Sequence, residues 1–337
     1  MEGTYSRRRV LATLGLAATG GLAGCAEDGT TPTATASPTG TPAVGASIPA
    51  YADFVPDWDG PVGFTMWDLD IEGGHRITTV PEETTDPLRY GSLLGAYAEF
   101  LTGGYMQMLS YPFDPGRLDT TDRARTLNVN GVAVQELPVD LAGAVADAED
   151  ESGATIQFEA DDRAIIEGDS GAVFGLTADA LAIPVLTDDA DGPQLVRDIL
   201  DTRTGAATPR HEAHEGFAAL LRAGDTTGSV ACGHAPDTDV AALVSDGSSV
   251  GVPLPTAGVE SALGALFHID LDNGEPPQPA SATIRYPADV AVETGSQSSL
   301  GSAARNRELT EDGRTVRVTG EYSWAALDEF DAAGGES

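Results

Sequence analysis

The chain contains no lysine. Its 337 residues carry 18 basic groups, all arginine, against 53 aspartates and glutamates, for a formal net charge of −35. So little positive charge excludes a nucleic-acid binder, because the phosphate backbone would be repelled wherever it approached. It also excludes docking on an anionic membrane through a basic patch. Cysteine is nearly missing: Cys25 and Cys232 cannot build a disulfide framework or a cysteine zinc cluster. No apolar run reaches the roughly 18 residues of a membrane-spanning helix. A phosphate-cradling glycine motif is also missing, since Gly73-Gly74 and Gly103-Gly104 lack the lysine or the helix entry that such loops need.

What is present argues against disorder. Hydrophobic residues make up 41% of the chain, enough for a core of ordinary size. The acid excess reads as a surface adapted to molar salt, where the screening length falls to about 3 Å and self-repulsion is damped. In such a chain an acidic cluster is weak evidence for a metal site.

Residues 1–24 read as an export signal. Arg7-Arg8-Arg9 precede an apolar run from Leu11 to Leu22, too short to span a bilayer and the right length for a signal-peptide core. Arg7 and Arg8 with the residues that follow resemble the twin-arginine signal, which exports folded proteins. Leu22-Ala23-Gly24-Cys25 resembles a lipobox, which implies that Cys25 is lipidated and begins the mature chain. From Ala26 to Ser47, 19 of 22 residues are Ala, Gly, Ser, Thr or Pro. Residues 25–50 are therefore expected to be the lipidated cysteine and an extended tether, at about 3 Å per residue.

The remainder reads as α+β: a layered antiparallel or mixed sheet with helices, with ferredoxin-like units as the suggested arrangement in two subdomains, 51–250 and 251–330, and a tail at 331–337. Alternation from Phe64 to Glu72 predicts a half-buried strand. Thr126 to Glu136 predicts a strand broken at Gly131. Arg163–Glu167 and Ala172–Leu176 predict strands joined by the turn Gly168-Asp169-Ser170-Gly171. Helices are expected from Leu88, from Pro193, around Phe217–Leu221 and near Val290–Ala304. The patterns of Arg163–Leu176, Leu195–Gly233 and Asp312–Gly320, about a third of the chain, resemble exported haloarchaeal lipoproteins. That resemblance implies an anchor and carries no activity with it.

Two patterns resemble catalytic motifs. Gly168-Asp169-Ser170-Gly171 resembles the nucleophile loop of trypsin-like proteases, but only His75 precedes Ser170 and its surroundings do not match. His211-Glu212-Ala213-His214-Glu215 places two histidines three residues apart, which one helix face can present to a metal. A third ligand, His234 or His268, would have to come from the tertiary fold. His268, Asp270 and Asp272 share a strand face and are expected in solvent. No catalytic residue and no cofactor are assigned, and the weak metal candidates are His211 and His214. The expected role is a non-enzymatic binding or interaction domain on the outer face of the cell membrane, held by Cys25, with an unspecified surface protein or small molecule as partner. A solute-binding lipoprotein of a transporter is the alternative, and a secreted metal-dependent or serine hydrolase ranks below it.

Overall fold

The computed structural model describes residues 47–68, 86–94, 109–151, 153–185, 192–237, 240, 258–271, 277–287 and 296–328. The segment from Arg125 to Glu136 shows how local sequence sets the architecture. Asn130 and Gly131 both have positive φ, 47° and 88°, as a two-residue hairpin turn requires. The predicted broken strand is thus two strands, β2 (Arg125–Val129) and β3 (Val132–Glu136), paired across the turn. The same alternation makes β1 (Val62–Asp68), β4 (Thr155–Ala160), β5 (Arg163–Glu167), β6 (Val173–Thr177), β7 (Ala180–Pro184) and β8 (Ser229–His234). Past the middle of the chain come β9 (Gly264–Ile269), β10 (Gln278–Arg285), β11 (Arg305–Asp312) and β12 (Thr315–Tyr322).

These twelve strands form one sheet in the order β11-β12-β10-β9-β8-β1-β2-β3-β7-β6-β5-β4, and the named pairs are all antiparallel. With its helices the chain is α+β. Its described strands mix hairpins with the longer connections that pair β1 with β8, β3 with β7 and β10 with β12, and lack the parallel neighbours of a ferredoxin-like split crossover. The expected boundary at 250 falls between β8 and β9, which are hydrogen-bonded neighbours in the sheet.

Helices among the described residues accompany the sheet: α1 (Leu141–Asp150), α2 (Gly192–Arg203), α3 (Arg210–Ala213), α4 (Glu215–Ala223) and α5 (Trp324–Asp328). Residues 87–94 are also helical. Strand alternation gives the sheet two covered faces. On one, Phe64, Met66, Leu127 and Leu266 pack with Val196 and Ile199 of α2 and with Phe217, Leu220 and Leu221 of α4. On the other, Phe267, Ile269, Val316 and Val318 pack with Leu88 and Leu93, while Phe174, Leu176 and Leu181 pack with Ala144 and Ala148 of α1. Each fully buried Leu, Ile or Phe contributes about 1.5–3 kcal/mol over its exposed state. The same alternation puts Cys232 in the first core, fully buried, with its thiol pKa pushed up by loss of solvent. That thiol is a packing group and not a nucleophile.

Candidate functional site

The described histidines, His211, His214, His234 and His268, gather around α4, at its two ends. Pro209 bridges to Pro56, and the Arg210 N–H donates to Val55 O at 2.8 Å, so α3 starts where the 50–56 segment pins it. The helical run then breaks at His214, whose backbone is extended (φ −121°, ψ 101°), before α4 begins. The sequence expectation of one helix face for His211 and His214 is therefore not met. His211 Nε2 lies 3.8 Å from Asp53 Oδ1, beside a shallow cleft of about 460 Å³ lined by Asp53, Arg203, Thr208 and Glu212. His214 Nε2 instead lies 2.7 Å from Asp57 Oδ1.

What His214 does meet is His234, from the end of β8, with ring centroids 5.6 Å apart. Phe217 packs on the other side of the His234 ring at 5.3 Å. Arg210, wholly buried, lies alongside: its Nε donates to His234 Nδ1 at 3.1 Å, Nη1 to Trp58 O at 2.9 Å and Nη2 to Gly60 O at 2.6 Å. These acceptors are two carbonyls and an imidazole, not a carboxylate. Burial accordingly lowers the pKa of Arg210. Burial, then the Arg210 charge, then those of His214 and Arg285, push the His234 pKa down to about 3. With Nδ1 accepting, the neutral ring carries its proton on Nε2.

At the far end of α4, Asp225 Oδ2 accepts from Arg317 Nη2 at 2.6 Å and from Ser281 Oγ at 2.8 Å. His268 Nδ1 stands 3.7 Å from the same oxygen, and neither ring nitrogen has a hydrogen bond. Although burial alone would raise it, the Asp225 pKa is held below the ordinary carboxylate range by His268, Arg317 and Ser281. The sequence expectation that His268 faces solvent is corrected here: it is 6% exposed, because its side of β9 faces Asp225, just beyond the end of α4. Arg317 also donates Nη1 to Ala223 O, which caps the last turn of α4.

The described histidines do not converge on a metal site. Among the described residues no three His, Cys, Asp or Glu side chains are placed to hold an ion. Ser170 is exposed in the Gly168–Gly171 turn, closed by Gly171 N–H to Gly168 O at 2.9 Å, while His75 lies outside the described residues, as do Arg7, Arg8 and Cys25. Sequence reasoning found His214 but missed Arg210, Asp57 and Arg285. Nothing in their spacing marks them, since they come from three separate segments.

No family model matches the chain, and no curated protein matches it. Among solved structures it is similar to TP0453 in three crystal forms, each at a TM-score of 0.38. Forms III and I are 7% identical over 85% and 86% of this chain and 99% and 98% of theirs. Form IV is 6% identical over 86% of this chain and 98% of its own.

Proposed function

We propose that this protein is exported by the twin-arginine route, lipidated at Cys25, and held on the outer face of the cell membrane, where its globular part serves in binding or interaction. The observation that carries the reading is the run of elements from Arg7-Arg8 through the apolar segment Leu11–Leu22 to Leu22-Ala23-Gly24-Cys25, followed directly by a Thr/Pro/Ala/Gly-rich tether. No helix among the described residues is long and apolar enough to cross a membrane. One acyl chain is a marginal anchor, at about 0.8 kcal/mol per buried CH₂, so a lipid with two long chains, as the resemblance to archaeal lipoproteins implies, suits stable attachment. Fractionation of cells expressing the wild type and Cys25→Ser tests the anchor. The wild type should sediment with membranes and Cys25→Ser should appear in the medium; a membrane-bound Cys25→Ser protein sinks the proposal.

A further inference from the structure

We infer that the N-terminal end of α4 binds a small oxyanion, a phosphate or carboxylate group, through the Gly216 backbone, the Nε2–H of His234 and the guanidinium of Arg285. The inference does not depend on where the protein resides.

Four observations meet at this point. First, α4 is nine residues long and its N-cap, His214, makes no side-chain bond to the first turn. The Glu215 and Gly216 N–H groups therefore face outward without an intrahelical acceptor, at the positive end of the helix dipole. Second, His234 is only 3% exposed, and Arg210 fixes its tautomer by donating to Nδ1, so Nε2 is left as a donor. That nitrogen has no hydrogen-bond partner among the described residues and is aimed at Gly216: a Cβ built on Gly216 would lie 3.5 Å from it.

Third, the same Cβ position is 3.9 Å from Nε of Arg285, at the end of β10. The Arg285 guanidinium has no ion pair or hydrogen bond among the described residues, in a chain with almost three acidic residues for each arginine. An unpaired arginine that is half-buried stands out, because Arg117, Arg163, Arg203 and Arg317 each hold a carboxylate, while Arg305 and Arg314, which hold none among the described residues, are exposed. Fourth, Gly216 keeps the approach open. Its missing side chain would meet polar nitrogens alone, so a ligand oxygen can settle between helix end, imidazole and guanidinium.

The electrostatics point the same way. Buried Arg210 sits directly behind His234 with no carboxylate among its hydrogen-bond partners, and Asp57 acts on it only through space. The nearby acids are engaged elsewhere: Asp57 with His214, and Glu215 with Arg222 at 3.0 Å, out in solvent. A bound anion would have a backbone donor, a neutral N–H donor and a charged planar donor, a set suited to a carboxylate or phosphate. A cation has no ligand to gain here.

The test is calorimetric titration of the full-length protein with inorganic phosphate and, separately, acetate, in sodium chloride held constant at molar concentration. The variants are Gly216→Ala, Arg285→Gln and, as a control, Arg197→Gln, whose guanidinium stacks on Phe158 far along the sheet. Gly216→Ala is informative because its methyl makes only ordinary contacts and alanine favours a helix, so the unliganded variant should melt no lower than the wild type. The expected result is saturable binding of at least one probe, weakened tenfold or more in both site variants and unchanged in the control. The tighter probe then identifies the ligand group. Binding by neither probe, or binding equal in wild type, Gly216→Ala and Arg285→Gln, overturns the inference.

Discussion

Single side chains hold distant parts of this chain together, and Asp86 is the clearest case. It is 1% exposed, yet its oxygens accept from Leu88 N–H at 3.2 Å, Gly301 N–H at 2.8 Å, Ala303 N–H at 2.9 Å and the Tyr322 hydroxyl at 2.8 Å. One carboxylate thus caps the helix at 87–94, orders the loop before β11 and fastens β12. Burial, and then the Asp86 charge, raise the Tyr322 pKa, so the hydroxyl stays protonated as the donor. Asp86→Ala would leave several buried donors without acceptors, at roughly 1–3 kcal/mol each. We expect a loss of about 3 kcal/mol or more in denaturant unfolding, with Asp86→Asn losing less. A loss below about 0.5 kcal/mol, typical of an uninvolved surface position, would contradict this role. The cap itself is legible in sequence as Asp-Pro before an apolar helical pattern. Its partners at 301, 303 and 322 are not, because no local pattern reports a contact across more than 200 residues.

Among elements, α2 rests closest on the sheet at Gly175 of β6. A Cβ at that glycine would overlap Val196 Cγ1 and stand 3.0 Å from Leu200 Cδ1. Gly175→Ala should therefore force α2 outward and cost about 1–3 kcal/mol. Val196→Ala in the same chain should return part of that loss, and a purely additive double variant would contradict the close contact. Elements with strong alternation or turn chemistry were readable: β5, β6 and their Gly168–Gly171 turn, and α4 with its Phe217, Leu220 and Leu221 stripe. Those set by tertiary contacts were not. The helix predicted near Val290–Ala304 is, in its described part, a single 3-10 turn at Ser296–Ser299, since Asp86 draws the Gly301 and Ala303 N–H groups out of any helical ladder. Strand β11 escaped notice because Arg-Asn-Arg-Glu-Leu-Thr-Glu-Asp has one apolar residue and draws its order from pairing with β12. Both outermost strands break register, β11 between Arg305 and Glu308 and β4 between Ile156 and Phe158, a device that hinders edge-to-edge association. For the candidate site, the spacing of His211 and His214 suggested a shared face; the extended backbone at His214 sends them to different carboxylates.

For the whole molecule, the charge takes on a narrower meaning. Cleavage before Cys25 would remove Arg7, Arg8, Arg9 and Glu2, leaving 15 basic and 52 acidic residues, a net of −37. Several of the remaining arginines tie segments together: Arg117 holds Asp140 and Asp147, Arg163 holds Asp201, and Arg317 holds Asp225. Against that background, Arg285, without a partner among the described residues, and Arg210, bonded to carbonyls and an imidazole, mark the corner where anion recognition is proposed. On the proposed reading the charge answers to the medium, and residues 1–25 answer to the place. Intact-mass spectrometry of the protein extracted from native membranes tests the central claim most directly. The account predicts a chain that begins at Cys25 and carries the added mass of a lipid on that residue. A chain that retains Met1, or whose Cys25 bears a free thiol, would contradict it.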